Sequence, residues 1–208
     1  MKKFGLVVIG AHFGVWLKED IVQFSDNKIL LVEPVPYNYN KLKTNFKDNS
    51  NIHICTNAIF SEHKKSKFYY VNENSISKLG KHWASGIGSF NKNHILDHRT
   101  KRFKIEEKDV DEIEIEFITF DDLIEKYFIE SIDKLQIDVE GAEYEILKSI
   151  DYKKINISSI QFESKHFDGT FKEGVKLGEI KKKLISEGYK LNQIDKENIL
   201  AEKQLSII

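Results

Sequence analysis

The chain has 208 residues, 40% hydrophobic and 31% charged, which fits one α/β domain long enough to bury a core. Its 32 basic and 33 acidic side chains leave a formal net charge of −1, too balanced to gather nucleic acid through an overall field. No apolar run approaches the roughly 20 residues of a membrane span. The opening MKKFGLVVIG sets two lysines before apolar residues, but the run breaks at Gly10-Ala11-His12 without a cleavage-site pattern, so it reads as a strand. The single Cys55 cannot form an internal disulfide, which fits a reducing, cytoplasmic setting, and is expected to be a small apolar filler.

In chain order, short apolar runs alternate with helical patterns, the signature of a parallel sheet with crossover helices. FGLVVIG (4–10) predicts a buried strand and GVWLKEDIVQF (14–24) an amphipathic helix. KILLVEP (28–34) is a second strand, and PYNYNKLKTNF (36–46) a helix whose proline suits a first turn. NIHICT (51–56) is a third strand, and AIFSEHKKSKFYYV (58–71) is extended. Residues 72–112 are polar, and a segment of that length inside a compact domain is expected to be functional or disordered. IEIEFITF (113–120) alternates like a strand, and Thr119 is placed to cap the helix FDDLIEKYF (120–128). Strand IDKLQIDV (132–139), helix GAEYEILKSI (141–150) and strand ISSIQFES (157–164) follow. Helix VKLGEIKKKLISEG (175–188) ends on Gly188, a suitable cap. YKLNQID and NILAEKQLSI, joined around Lys196-Glu197, predict a closing antiparallel hairpin. No repeat or boundary interrupts the pattern, so residues 1–208 are read as a single domain carrying a lid-like insertion at about 72–112.

VVIGAHFG (7–14) joins the first strand to the first helix, and its small residues Gly10, Ala11 and Gly14 let a ligand approach the backbone at the carboxyl edge of the sheet. Glu33 ends the second strand, where a carboxylate can accept both ribose hydroxyls of an adenosine-containing cofactor. These residues alone do not separate a dinucleotide from S-adenosylmethionine. The middle of a G-x-G-x-x-G fingerprint is replaced by Ala11-His12, and a final antiparallel strand fits the second cofactor better.

Four stretches, in order, resemble the FkbM family of S-adenosylmethionine-dependent methyltransferases. They are VVIGAHFG, LVEPVPYNYNKLKTNF, FITFDDL (117–123) and KLQIDVEGAEYEIL (134–147), the last being the most diagnostic. The likeness spans roughly residues 4 to 165. It departs from the family pattern at Val8, usually Asp, at His12, usually Asn, and at Gln136, usually Lys.

The resemblance implies a class I, Rossmann-like α/β fold, with a doubly wound, mostly parallel seven-stranded sheet and a C-terminal antiparallel hairpin. It implies S-adenosylmethionine as cofactor and O-methyl transfer to a small polar acceptor. A sugar or sugar nucleotide of a surface polysaccharide is preferred, because the insertion is rich in polar and aromatic residues. Gly10, Ala11, His12 and Gly14 would face the methionine part, and Glu33 the ribose. Pro34 and Val35 would lie beside the adenine, with Asn57 and Ala58 also near the base. Asp138 would stand beside the methyl donor, with Asp138, Glu140 or His166 as base or aligning group. Asp138 and Glu163 could share a divalent cation, Mg²⁺ or Mn²⁺. Glu143 shares a helix face with Glu140, where acids also suit the helix dipole. His82, His94 and His98 are expected at the surface, with Trp83 and Phe90 as lid aromatics. Closure over the site is expected from 72–112, from 164–174, or from a second subunit in a homo-oligomer. Two rival readings remain, a dinucleotide-dependent oxidoreductase and a catalytically inactive binding module of the same fold.

Overall fold

The structure, a computed structural model, describes residues 2–79, 82–98, 105–139, 141–164, 167 and 174–204; the side chains of His82 and Trp83 lie outside this description. Strands β1 (Lys2–Ile9), β2 (Lys28–Val32) and β3 (Ile52–Cys55) form one half of the main sheet. Strands β8 (Ile129–Ile137), β9 (Asn156–Glu163), β10 (Tyr189–Gln193) and β11 (Asn198–Lys203) form the other. The spatial order is β10-β11-β9-β8-β1-β2-β3. β1 pairs in parallel with both β2 and β8, and β8 with β9, whereas β11 runs antiparallel to β9 and β10. This is the class I, Rossmann-like arrangement, with its order reversing between β1 and β8. In such sheets a ligand sits at the carboxyl ends of the strands flanking the reversal.

Alternation along each strand builds two cores. Val7 and Ile9 of β1 join Leu135 and Ile137 of β8 and Ile160 and Phe162 of β9 on one face. Leu123 of helix α5 (Phe120–Tyr127), Ile146 of α6 (Glu143–Ser149) and Leu184 of α7 (Val175–Ser186) cover that face. Leu6 and Val8 point the other way with Ile29 and Leu31, and meet Ile21 of α1 (Lys18–Gln23) and Leu42 of α2 (Pro36–Asn45). Helices therefore lie on both faces, as a doubly wound sheet requires.

Several element limits differ from expectation for local reasons. The first helix starts as a short 3-10 turn at Val15–Leu17, because Gly14 enters with φ 74, outside the helical region. The helix expected from 141 begins at Glu143, since Gly141 has φ 111 and the Glu143 carboxylate accepts the N–H groups of Val139 and Gly141. The closing hairpin turns on Asp195, whose carboxylate accepts the N–H groups of Glu197 and Asn198.

Thr119 caps α5 as expected. Its hydroxyl accepts the Asp122 N–H at 3.0 Å while the Asp122 carboxylate accepts the Thr119 N–H at 2.8 Å. Thr119→Ala removes half of this exchange and is expected to lower stability by about 1 kcal/mol in chemical denaturation.

The segment expected at about 72–112 is structured over its described residues and belongs to a larger unit that runs from 58 to 118. β4 (Ala58–Ile59), β5 (Lys64–Val71), β6 (Gly88–Ser89) and β7 (Val110–Ile118) form a second sheet in the order β4-β7-β5-β6. Helices α3 (Glu73–Leu79) and α4 (Lys92–Asp97) connect its strands. Val71, Ala84, Ile87, Ile95 and Ile105 give it a separate small core. His94 and His98 correct the surface expectation: both are buried, with rings edge to face at 5.4 Å. α4 turns them inward at i and i+4, on the same side as Ile95. Among the described residues, no helix is long and apolar enough to cross a membrane.

Candidate active site

A pocket of about 630 Å³, counted to its open mouth, lies between the carboxyl edge of the main sheet and the insertion. Its mostly apolar lining with a few polar groups is of the kind that takes a small-molecule ligand. Gly10, His12, Glu33, Pro34, Val35, Ala58 and Asp138 all line it. Glu33 and Asp138 thus open onto one cavity, from opposite sides of the β1–β8 reversal.

Glu33 is only 5% exposed. Its Oε2 accepts the His12 N–H at 2.8 Å and its Oε1 the Val35 N–H at 2.9 Å. Burial pushes its carboxyl up to about 7; the backbone donors from Val35 and His12, and the Asn38 side chain, pull the other way. A carboxylate oxygen accepts more than one hydrogen bond, so both keep capacity toward a ligand hydroxyl.

His12 holds a left-handed backbone, φ 53, a conformation that costs a non-glycine residue about 1–2 kcal/mol. Its ring Nε2 lies 2.7 Å from Ser85 Oγ of the insertion, and its ring lies 3.6 Å from that of Phe13. Gly10, at φ 91, lies so close to β8 that an added Cβ would stand 1.8 Å from the Asp138 carbonyl oxygen. No other residue fits there. This contact joins the glycine loop to the acidic end of β8, where the Asp138 N–H donates to the Ile9 carbonyl at 2.9 Å.

Three expected contact residues sit elsewhere. Gly14 packs against α2, where a Cβ would meet Phe46 at 2.5 Å and Leu42 at 2.8 Å. It is therefore a helix-packing glycine and not part of the pocket wall. Ala11 is fully buried, with its N–H on the Val32 carbonyl, and its side chain belongs to the second core. Asn57 turns away: its Nδ2 donates to Glu116 and its Oδ1 accepts from Lys126 Nζ at 2.8 Å.

Asp138 is exposed, and one oxygen each of Asp138, Glu143 and Glu163 lies within 4.8 Å of the others. Glu143, outside the expected metal pair, is fully buried and holds the turn after Asp138 through the Val139 and Gly141 amides. Glu140 and His166 lie outside the described residues.

The far wall of the pocket was not expected in full. Phe60, Phe68 and Phe117 join Phe90, with the Phe60 ring 5.2 Å from Phe90 and 6.2 Å from Phe117. Phe90 lines the pocket, whereas the Trp83 side chain lies outside the described residues. The sequence carried one signal, a high density of phenylalanines. Which of them converge depends on β5 pairing antiparallel with β7, a register that no local pattern states.

Val8 and Gln136, the two strand positions that depart from the FkbM pattern, are direct partners across β1 and β8 and are both buried.

Solved structures with a similar course of the chain share little sequence with it. Aeropyrum pernix fibrillarin, in complex with natively bound S-adenosyl-L-methionine, matches with a TM-score of 0.45 and 14% identity over 95% of this chain and 66% of that one. A putative methyltransferase from Streptococcus mutans, in complex with SAH, matches with a TM-score of 0.49 and 12% identity over 98% of this chain and 89% of that one. Precorrin-6y C5,15-methyltransferase from Geobacter metallireducens matches with a TM-score of 0.47 and 12% identity, over 98% and 82% respectively. No functionally curated protein matches the sequence. The family model described as "Methyltransferase FkbM domain" matches residues 9–191, a range that holds every residue lining the pocket. The chain therefore belongs to the FkbM family of S-adenosylmethionine-dependent methyltransferases.

Proposed function

We propose that the chain transfers a methyl group to a hydroxyl of a small polar acceptor, using S-adenosylmethionine bound in the pocket between Glu33 and Asp138. The observation that carries this reading is their shared cavity at the reversal of the sheet. The residues present fit such a cofactor. A buried carboxylate suits a ribose diol, and the apolar flank from Pro34, Val35 and Ala58 to Phe60 suits a flat base. Gly10 and His12 then border the methionine end.

When bound, the cofactor supplies a sulfonium-activated methyl carbon, so the protein mainly needs to hold the acceptor oxygen in line. Asp138 is the group assigned to align that hydroxyl and take its proton as the oxygen becomes bonded. Glu140 and His166 are the alternatives for this role, and Glu140→Gln and His166→Asn variants rank them against Asp138. The acceptor class we favour is a carbohydrate, free or nucleotide-linked, as in a surface polysaccharide. Its support is the polar and aromatic insertion beside the pocket. A cytoplasmic setting belongs to the same proposal and rests on the lone, buried Cys55.

Oxygen-only ligands suit Mg²⁺ or Mn²⁺, and Asp138 and Glu163 are the pair we assign to such an ion. The test is a labelled-methyl assay across sugar nucleotides and simpler polyols, with and without EDTA. Label is expected to enter a hydroxylated acceptor. Loss of transfer in EDTA, restored by added Mg²⁺ or Mn²⁺, supports the cation, and unchanged transfer removes it. A calorimetric titration showing heat with NAD and none with S-adenosylhomocysteine would overturn the cofactor assignment.

A further inference from the structure

His12 sits where three parts of the fold meet: the glycine loop, the end of β2 and the insertion. Its N–H reaches Glu33 at 2.8 Å and its ring reaches Ser85 at 2.7 Å. The same serine is gripped from α2, for its carbonyl accepts Asn38 Nδ2 at 2.7 Å, while the Tyr37 hydroxyl, which donates to the Val71 carbonyl at 3.0 Å, lies 3.5 Å from it. Tyr37 and Asn38 follow Glu33 within five residues. The Ser85 turn therefore braces Glu33 from both sides, and Gly86 and Gly88 directly after it line the pocket.

We propose that His12 is a positioning residue through which the Ser85 turn of the insertion sets the grip of Glu33 on the ribose. This rests on the reading of Glu33 given above. The left-handed backbone of His12 aims its amide at Glu33, and the ring's tie to Ser85 holds that backbone in place. If the turn lifts away, the tie is lost and His12 relaxes toward an ordinary conformation. Glu33 then loses one of its two backbone donors. Because coupling is reciprocal, filling the pocket also holds the turn down. The insertion thereby acts on cofactor affinity at a distance from any contact of its own with the ligand.

Ser85→Ala separates the tie from the rest of the turn. It deletes the hydroxyl that meets His12 but keeps the carbonyl that Asn38 holds. Hydrogen exchange in the ligand-free protein reads the link directly. Ser85→Ala is expected to speed exchange of the His12 amide about tenfold or more, while core amides such as that of Leu135 keep their wild-type rates.

In calorimetric titration, Ser85→Ala and His12→Ala should each weaken S-adenosylhomocysteine binding about tenfold, and the double variant no more than His12→Ala alone. His12→Asn, whose short side chain tolerates left-handed backbone, should recover most of the loss. An unchanged His12 exchange rate in Ser85→Ala sinks the inference. So do additive losses, or wild-type affinity in that variant, and both leave the cofactor assignment standing. A wild-type chain that binds no S-adenosylhomocysteine removes that assignment, and this inference with it.

Discussion

Asp138→Asn is expected to lower methyl transfer about 100-fold or more while S-adenosylhomocysteine binding changes less than about tenfold, or 1.4 kcal/mol. The substitution keeps the side chain's size and hydrogen-bonding reach but removes its ability to accept a proton. The local backbone should survive, since it is held by other groups. The Asp138 N–H donates to the Ile9 carbonyl, and the Val139 and Gly141 amides rest on Glu143. Asp138 is exposed, so losing its charge leaves no buried ion without a partner. Paired titrations and single-turnover rates separate the two quantities. Full turnover in the variant rejects Asp138 as the group that handles the acceptor proton.

Glu33→Ala carries the second large effect, a loss of S-adenosylhomocysteine affinity of about 100-fold or more, roughly 2.7 kcal/mol. Each hydrogen bond to a buried carboxylate is worth about 1.5–3 kcal/mol, and a ribose offers two hydroxyls. The wild-type protein adds a pH signature. Ribose hydroxyls donate, so they favour the ionised carboxylate, whereas burial favours the neutral acid and lifts its titration to about 7. Affinity should rise by up to about tenfold per pH unit below 7 and level off above it, because below 7 binding must expel a proton.

Stability of the free protein moves the other way. The folded carboxyl titrates above its unfolded value of 4.5, so this group's contribution is fully present below 4.5 and is lost as pH rises through about 7. The loss amounts to about 3 kcal/mol. Calorimetry and thermal unfolding between pH 5 and 8 read both trends. A flat affinity profile across pH 7 rejects Glu33 as a titrating ribose ligand.

Much of the fold was legible because parallel strands buried on both faces read as continuous apolar runs. FGLVVIG and KILLVEP could hardly be anything else, and the acids that end such runs, Glu33 and Asp138, fall at the carboxyl edge by construction. Residues whose roles depend on tertiary neighbours were less legible. Gly14 looked like a loop glycine until Phe46 and Leu42 came to rest on it. Asn57 looked like a pocket residue until Glu116 and Lys126 claimed its amide. His94 and His98, which show no metal-ligand spacing, looked like polar surface, but both are buried, on the helix that brings Ile95 to the insertion's small core. Its strand β6 is only two residues long, too short to announce itself by alternation.

The pairing of Val8 with Gln136 alters how the missing aspartate should be weighed. A carboxylate at position 8 would stand among Leu6, Ile29 and Leu31. An ammonium at 136 is the neighbour that would neutralise it. Removing one member of a buried ion pair is far more harmful than replacing both. This chain lacks both, and an uncharged side chain stands at each position. The two departures therefore leave a neutral pair at one place in the sheet and no buried charge without its counter-charge there.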